Sequence, residues 1–457
     1  MRDATNPAAS YREGMRLIRS LGLCATALLP AGLLAFPSLA EAATTSLYVD
    51  RTAACSDSGI GTATTPYCTI GKAVTKLAAG YTLYIGNGTY AETIKPPVSG
   101  TAAAPITITE WPGRNPTITG ATYYGASLTG RSYVTVSALS FAGTVADGIY
   151  VSGGDHLTIA GNTITGAGRP IKSKTAPGIS IRGATSSTVS DNYVHHNNGT
   201  GIVLTAGATG ITVTGNTASF NADGFQRNAN GINVVSPGNS VLRNVTHDNE
   251  DSGIQFYTGG NDNLAALNVT YNNGDHGIDN LNVTGGRMIG NTVYRNCTTG
   301  INVEGTSGNY QVVNNIAVDN AVYPAYNGIS CARRAGNIGI WDSAPASTTV
   351  DHNLVWLTKA GKMYAFKSTY TSLAAMQAAT QQESHGVQAD PGFVSPGGWD
   401  LSLRAGSAAI DRGDSGVSGA QSTDLLGAGR YDDPATANTF AEGPRRYDDL
   451  GAYEFHH

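Results

Sequence analysis

The chain is 457 residues long, carries a formal charge of −5, and holds only 13% charged residues against 58 glycines. A charge this small, with no basic arm or aromatic-basic surface pattern, gives no footing for nucleic-acid binding. Low charge with abundant Gly, Thr, Ser and Asn suits a repetitive fold whose coils end in short polar turns.

Arg16 and Arg19 precede an apolar stretch from Leu21 to Leu39, which ends in Ala40-Glu41-Ala42. A positive start, an apolar middle and an A-x-A end make residues 1–42 a secretory signal, of ordinary length if counted from Met15. Cys24 lies early in the apolar stretch and is not read as a lipid-anchored cysteine. No later run is long enough to span a membrane, so a secreted chain without membrane insertion is expected. Secretion permits disulfides. Cys55 and Cys68 bracket a short loop and are expected to pair; Cys297 and Cys331 would staple neighbouring coils, and that pairing stays open. None of these four has metal-site spacing.

Residues 43–95 read as an N-terminal cap. SLYVD is a strand, an amphipathic helix is expected over Ile70–Leu77, and TLYIGNGTYAETI returns as strand and turn. Such a helix covers the open end of a first coil, as solenoids require. Residues 96–357 form the core, in short strands with Pro and Gly at the corners. In the extension, residues 358–457, a helix is expected over Ser372–Gln382. The tail GSAAIDRGD and DLGAYEF is expected to close the C-terminal mouth.

The core is governed by a repeat. A Gly-Ile pair recurs at Gly201, Gly231, Gly253, Gly277 and Gly300, at intervals of 30, 22, 24 and 23 residues. One Asn follows at a fixed place in each unit (Asn216, Asn244, Asn268, Asn291) and a second closes it (Asn221, Asn249, Asn273, Asn296). Asn162, Asn192, Asn315 and Asn353 extend the series. Repeats of this period mean stacked supersecondary units. Runs of three to five aliphatic or β-branched residues between Gly and Asn are too short for helices and right for strands. This is a single-stranded parallel β-helix, all-β, with an Asn ladder. The ladder asparagines are expected to occupy left-handed turns, a conformation that Asn tolerates, and to bond the next coil through their amides.

Stacking places equivalent positions about 4.8 Å apart. Two residues before each Gly stand Gly199, Ala229, Asp251, Asp275 and Thr298. After each Ile stand Val203, Asn233, Gln255, Asp279 and Asn302, and two positions on Thr205, Val235, Tyr257, Leu281 and Glu304. If Ile points inward, the last two columns point outward. Asp251 stacked on Asp275 is the sharpest signal, because adjacent carboxylates repel and need a cation or a raised pKa. Calcium, with six to eight oxygen ligands, suits such a turn. His276, between Asp275 and Gly277, is a proton-transfer candidate beside Asp279. Asn233, Gln255 and Tyr257 read as groove lining for a sugar, and Glu304 as an acid for hydrolysis or a sugar contact. Arg169, Lys172, Lys174 and Arg182, with Arg227 in the next insertion, border the same face and suit an acidic chain. The bland alternative is that these are solvated turn residues.

The N-terminal TIGKAVTKL…TLYIGNGTYAETI and the C-terminal GSAAIDRGD…DLGAYEF resemble the caps of secreted bacterial right-handed β-helix proteins of the pectin-lyase-like superfamily. Asn221-Ala222-Asp223-Gly224-Phe225, followed by Asn249-Glu250-Asp251-Ser252-Gly253, is similar to a paired motif of family 9 polysaccharide lyases. That resemblance implies calcium bound by Asp223 and Asp251, with Asp275 in the same column, and proton abstraction by a lysine. The chain departs from the pattern: no lysine lies between Lys174 and Lys359. The base therefore falls to His276, Arg227 or a loop lysine. The function expected is a secreted monomer cleaving a uronic-acid-containing polysaccharide by calcium-assisted β-elimination. A glycoside hydrolase using Asp251, Asp279 and Glu304, or a non-catalytic surface β-helix, stays open, since the scaffold hosts all three.

Overall fold

The computed structural model describes residues 45–457 except 120–122, 170–174, 223–226, 228, 327, 332 and 439–440. The expected signal, Lys172 and Asp223 lie outside the described residues. Each coil contributes three short strands, which stack into three parallel sheets. The first runs through twelve strands from Thr45–Val49 to Thr349–Asp351, and the second through twelve from Gly88–Tyr90 to Val387–Gln388. The third has eleven strands, Ala126–Ser127 to Tyr364–Phe366 in parallel and Ser368–Tyr370 antiparallel. Among the described residues no helix is long and apolar enough to cross a membrane.

Alternation decides which side chains enter the core. Ile232, Ile254, Ile278, Ile301 and Ile338 are successive partners in the third sheet and all point inward, fully buried. Each such side chain contributes about 1.5–3 kcal/mol on leaving water. The residue after each Ile faces out, so the columns anticipated above are real: Asn233, Gln255, Asp279 and Asn302 are consecutive partners.

Two buried ladders of asparagine amides run along the corners. In the first, Asn162, Asn192, Asn216, Asn244, Asn268, Asn291, Asn315 and Asn353 each donate Nδ2–H to the Oδ1 of the next, at 2.9–3.0 Å. The second links Asn197, Asn221, Asn249, Asn273, Asn296, Asn320 and Asn337 at 2.9–3.1 Å. The ladder asparagines are not themselves left-handed. That conformation falls on the residue before each, as at Arg243, Leu267, Phe220 and Arg295. The division of labour is geometric: the left-handed residue swings its own side chain outward, which lets the following Asn turn its amide inward.

The expected Cys55–Cys68 disulfide is present, and Cys297 and Cys331, whose pairing the sequence left open, are joined as well. The N-terminal helix is shorter than predicted, Ile70–Val74, capped by Thr69 Oγ1, which accepts from Lys72 N–H at 3.2 Å. It buries Ile70, Ala73 and Val74. Helix Leu373–Thr380, capped by Ser372, buries Leu373 and Met376 at the other end of the core beside Tyr364 and Phe366. The tail does not close that mouth. It runs back along the flank, where Leu401, Leu403, Ile410, Leu450 and Phe455 cover Val269, Tyr271, Tyr294, Ile316 and Leu354 of the second sheet. Alternate residues of those strands are apolar outward as well as inward, so they need a cover.

Candidate functional site

The turn entering the third sheet stacks Ala229, Asp251, Asp275 and Thr298. Asp251 N–H donates to Ala229 O at 3.1 Å, Asp275 N–H to Asp251 O at 3.3 Å, and Thr298 N–H to Asp275 O at 3.0 Å. The two carboxylates therefore sit one coil apart, as their spacing indicated. Their environments drive them in opposite directions. Burial first, then Asp275 and Asp279, push the Asp251 carboxyl up to about 7. Burial also raises Asp275, but His276, a hydrogen bond from Thr298 and Arg333 outweigh it and hold that carboxyl below its usual range. Pairs pushed apart in this way are a mark of acid–base sites.

His276 is 1% exposed. Thr298 Oγ1 donates its single proton to Asp275 Oδ1 at 2.6 Å, so it accepts from His276 Nδ1–H at 2.8 Å. The His276 Nε2 lies 3.8 Å from Asp275 Oδ1. His276 is thus closed off from solvent and linked to Asp275 through the Thr298 hydroxyl.

On the sheet itself a polar row runs across coils. Asn230 Nδ2 donates to Gln255 Oε1 at 3.1 Å, Gln255 Nε2 to Asp279 Oδ2 at 2.9 Å, and Asn302 Nδ2 to Asp279 Oδ1 at 2.8 Å. Asp279 is 3% exposed, with both oxygens engaged. Asn233 Oδ1 and Asn302 Oδ1 are buried and accept no hydrogen bond. His276, Asp279 and Glu304 bring ligand atoms within 4.8 Å of one another. Burial and Asp279 raise the Glu304 carboxyl, partly offset by His276 and Arg334.

Sequence reasoning missed the arginines that cover this row. The insertion between Asn320 and Ile338, tied down by Cys297–Cys331, lays Arg333 on Asp275 and Arg334 on Glu304, the latter at 2.9 Å. Arg334 also stacks 5.0 Å from the Trp341 ring. The one available signal was the 37-residue step from Ile301 to Ile338. Arg227 Nη2 donates to Ser330 O of the same insertion at 2.9 Å, and its charge reaches Asp275. Tyr257 is exposed on the same face. Arg182 is not brought to the cluster: it pairs with Ser152 and Thr205, three coils before Tyr257 and so about 14 Å away along the axis.

Three parallel sheets, buried Asn ladders and a polar outer row define a pectin-lyase-like β-helix. The chain belongs to the Pel9A-like, right-handed β-helix family, which matches residues 47–337. The protein YwoF of Bacillus subtilis (strain 168), uncharacterized, is 27% identical over 433 residues, spanning 76% of this chain and 89% of its own. XylC, solved in complex with xylose, superposes with a TM-score of 0.58 at 12% identity, covering 89% of this chain and 98% of XylC. Pectate lyase Pel9A gives 0.56 at 16% identity, covering 90% and 96%. At these identities the likeness to solved structures is one of fold.

Proposed function

We propose that the protein is an extracellular enzyme that cleaves a uronic-acid-containing polysaccharide by β-elimination on the third-sheet face around Asp251. One observation carries the reading: Asp251 is a half-buried carboxyl lifted to about 7, which exchanges a proton at neutral pH. Support comes from the family, whose namesake is a pectate lyase, and from the two disulfides, which suit secretion.

Elimination needs positive charge on the sugar carboxylate, a base for the C5 proton, and departure of the C4 oxygen. Guanidinium groups stay protonated and are poor bases. Arg227 is therefore assigned to binding, together with Arg333, whose side chain is 52% exposed. The ionised Asp251 takes the C5 proton; the C5–H electron pair forms the C4–C5 double bond as the C4–O bond breaks, and the leaving oxygen takes a proton from water.

Asp251 and Asp275 do not fit a calcium ion as they stand. Asp275 accepts from Thr298 and pairs with Arg333, so a cation already occupies its side of the site. Asp279 and Glu304 are likewise committed to amide and guanidinium donors. No step is assigned to calcium.

The second reading, hydrolysis, draws on the raised carboxyls of both Asp251 and Glu304, since glycosidases use a carboxyl pair. Incubating the protein with acidic and neutral polysaccharides separates the two. The lyase gives the ultraviolet band of an unsaturated uronide, retained in EDTA and lost on the order of 10²-fold in Asp251→Asn. New reducing ends without that band establish hydrolysis, and a strict need for added calcium overturns the arginine assignment.

A further inference from the structure

Away from this face, a second cluster of ligating side chains stands where the last full coil, the closing helix and the tail meet. Asp351 ends the final strand of the first sheet, and His352 follows it in a left-handed turn with φ 53°. His385 lies just beyond helix Leu373–Thr380, and Glu442 belongs to the tail. One ligand atom from each of Asp351, His352 and His385 falls within 4.8 Å of the other two.

The carboxylate is held in a fixed orientation. The backbone N–H groups of His352 and His385 both donate to Asp351 Oδ1, at 2.9 and 2.8 Å. That leaves Oδ2 facing the imidazoles: His385 Nδ1 at 2.9 Å and His352 Nδ1 at 3.7 Å, with Ser384 Oγ donating at 3.0 Å. The two rings lie 4.4 Å apart at an interplanar angle of 25°. A tetrahedral dication with bonds of about 2.0–2.1 Å has ligand–ligand edges of about 3.3 Å, between the two distances to Oδ2. On the far side, His385 Nε2 lies 3.7 Å from Glu442 Oε1. A ligating histidine commonly turns its other nitrogen toward such a carboxylate.

We propose that Asp351, His352 and His385 form a binding site for a transition-metal dication of the zinc type, with Glu442 as the outer partner of His385. Two imidazoles and one carboxylate select such an ion over calcium or magnesium, which take oxygen ligands. His385 is partly exposed, which leaves a coordination position open to water. Metal here joins three segments far apart in sequence and locks the closing helix and tail onto the final coil.

The test uses the full secreted chain without an affinity tag, stripped with EDTA and titrated with Zn²⁺ by calorimetry and with Co²⁺ by visible absorption. One equivalent binds, the Co²⁺ form shows ligand-field bands of a low-symmetry nitrogen–oxygen site, and zinc raises the melting temperature. Losing the hydrogen-bond partner behind a ligand weakens metal sites roughly 10–100-fold, so removing a ligand itself in His385→Ala should weaken binding by about 100-fold or more. His352→Asn, which keeps a residue suited to the left-handed turn, has the same effect. Asp251→Asn binds zinc normally, so failure of the site and failure of the proposed lyase reading remain distinguishable. Absence of a saturable equivalent in the wild type overturns the proposal. So does undiminished binding in His385→Ala, or loss of binding on removing His456 and His457 alone. If His352→Asn loses its native circular dichroism, the partly exposed His385 decides.

Discussion

Replacing Asp251 by asparagine should stabilise this protein while abolishing its activity. A carboxyl lifted from 3.8 to about 7 by burial and like charges disfavours the ionised form in the folded state. At about 1.4 kcal/mol per pH unit, full ionisation costs about 4 kcal/mol, and water at the half-buried group screens this to about 2–3 kcal/mol. The sign follows from linkage. A raised carboxyl contributes stability that is complete below its unfolded pKa near 4 and is lost as pH rises through about 7. Asparagine mimics the protonated acid, so the variant and wild type should match near pH 4. The variant should exceed the wild type by about 2–3 kcal/mol near pH 8.5. Guanidinium unfolding at the two pH values, in EDTA and with equal m-values, measures the difference. Glu383 and Asp411, also raised to about 8 and about 7, are present in both proteins and cancel. A variant no more stable than wild type at the higher pH refutes the strained-carboxyl account, and with it the assignment of Asp251 as the proton-transfer group.

Asn268→Ala removes the acceptor of Asn244 N–H and the donor to Val241 O, both at ladder positions inside the coil. Two orphaned buried groups should cost about 2–5 kcal/mol by denaturant unfolding, and a loss under about 0.5 kcal/mol would show that the ladder relaxes. Cys297→Ser with Cys331→Ser releases a loop of 34 residues, worth about 4 kcal/mol by chain entropy. It should also free Arg333 and Arg334, read as a rise in KM on the active polymer. Burial raises Glu383 to about 8, so its stability contribution is present at low pH and lost as pH climbs through about 8. Glu383→Gln should flatten that alkaline fall in a melting-temperature series.

The repeat made the coil legible because the ladder asparagines and the inward isoleucines are fixed by the same period. Once that register was set, the Asp251–Asp275 stack and the row Asn233, Gln255, Asp279 and Asn302 followed from counting. What covers the row could not be counted. Residues 321–336 follow no period, so the approach of Arg333 and Arg334 depends on tertiary closure and on a disulfide whose pairing the sequence left open. The tail misled for a related reason: its apolar residues signalled packing, but not whether against the mouth or the flank.

Each ladder is also a polarised wire. Every amide donates toward the C-terminal side, so its dipoles add along the axis as peptide dipoles do in a helix, leaving positive charge at the last member. In the first ladder that end is Asn353, and the group receiving it is a carboxyl: Glu383 Oε1 accepts from Asn353 Nδ2 at 2.9 Å and Oε2 from its N–H at 3.2 Å. The second ladder ends on the backbone carbonyl of Trp356 at 2.9 Å. The stack of coils therefore has a fixed polarity, and a further coil added beyond Asn353 would have to displace Glu383 from the end of the ladder.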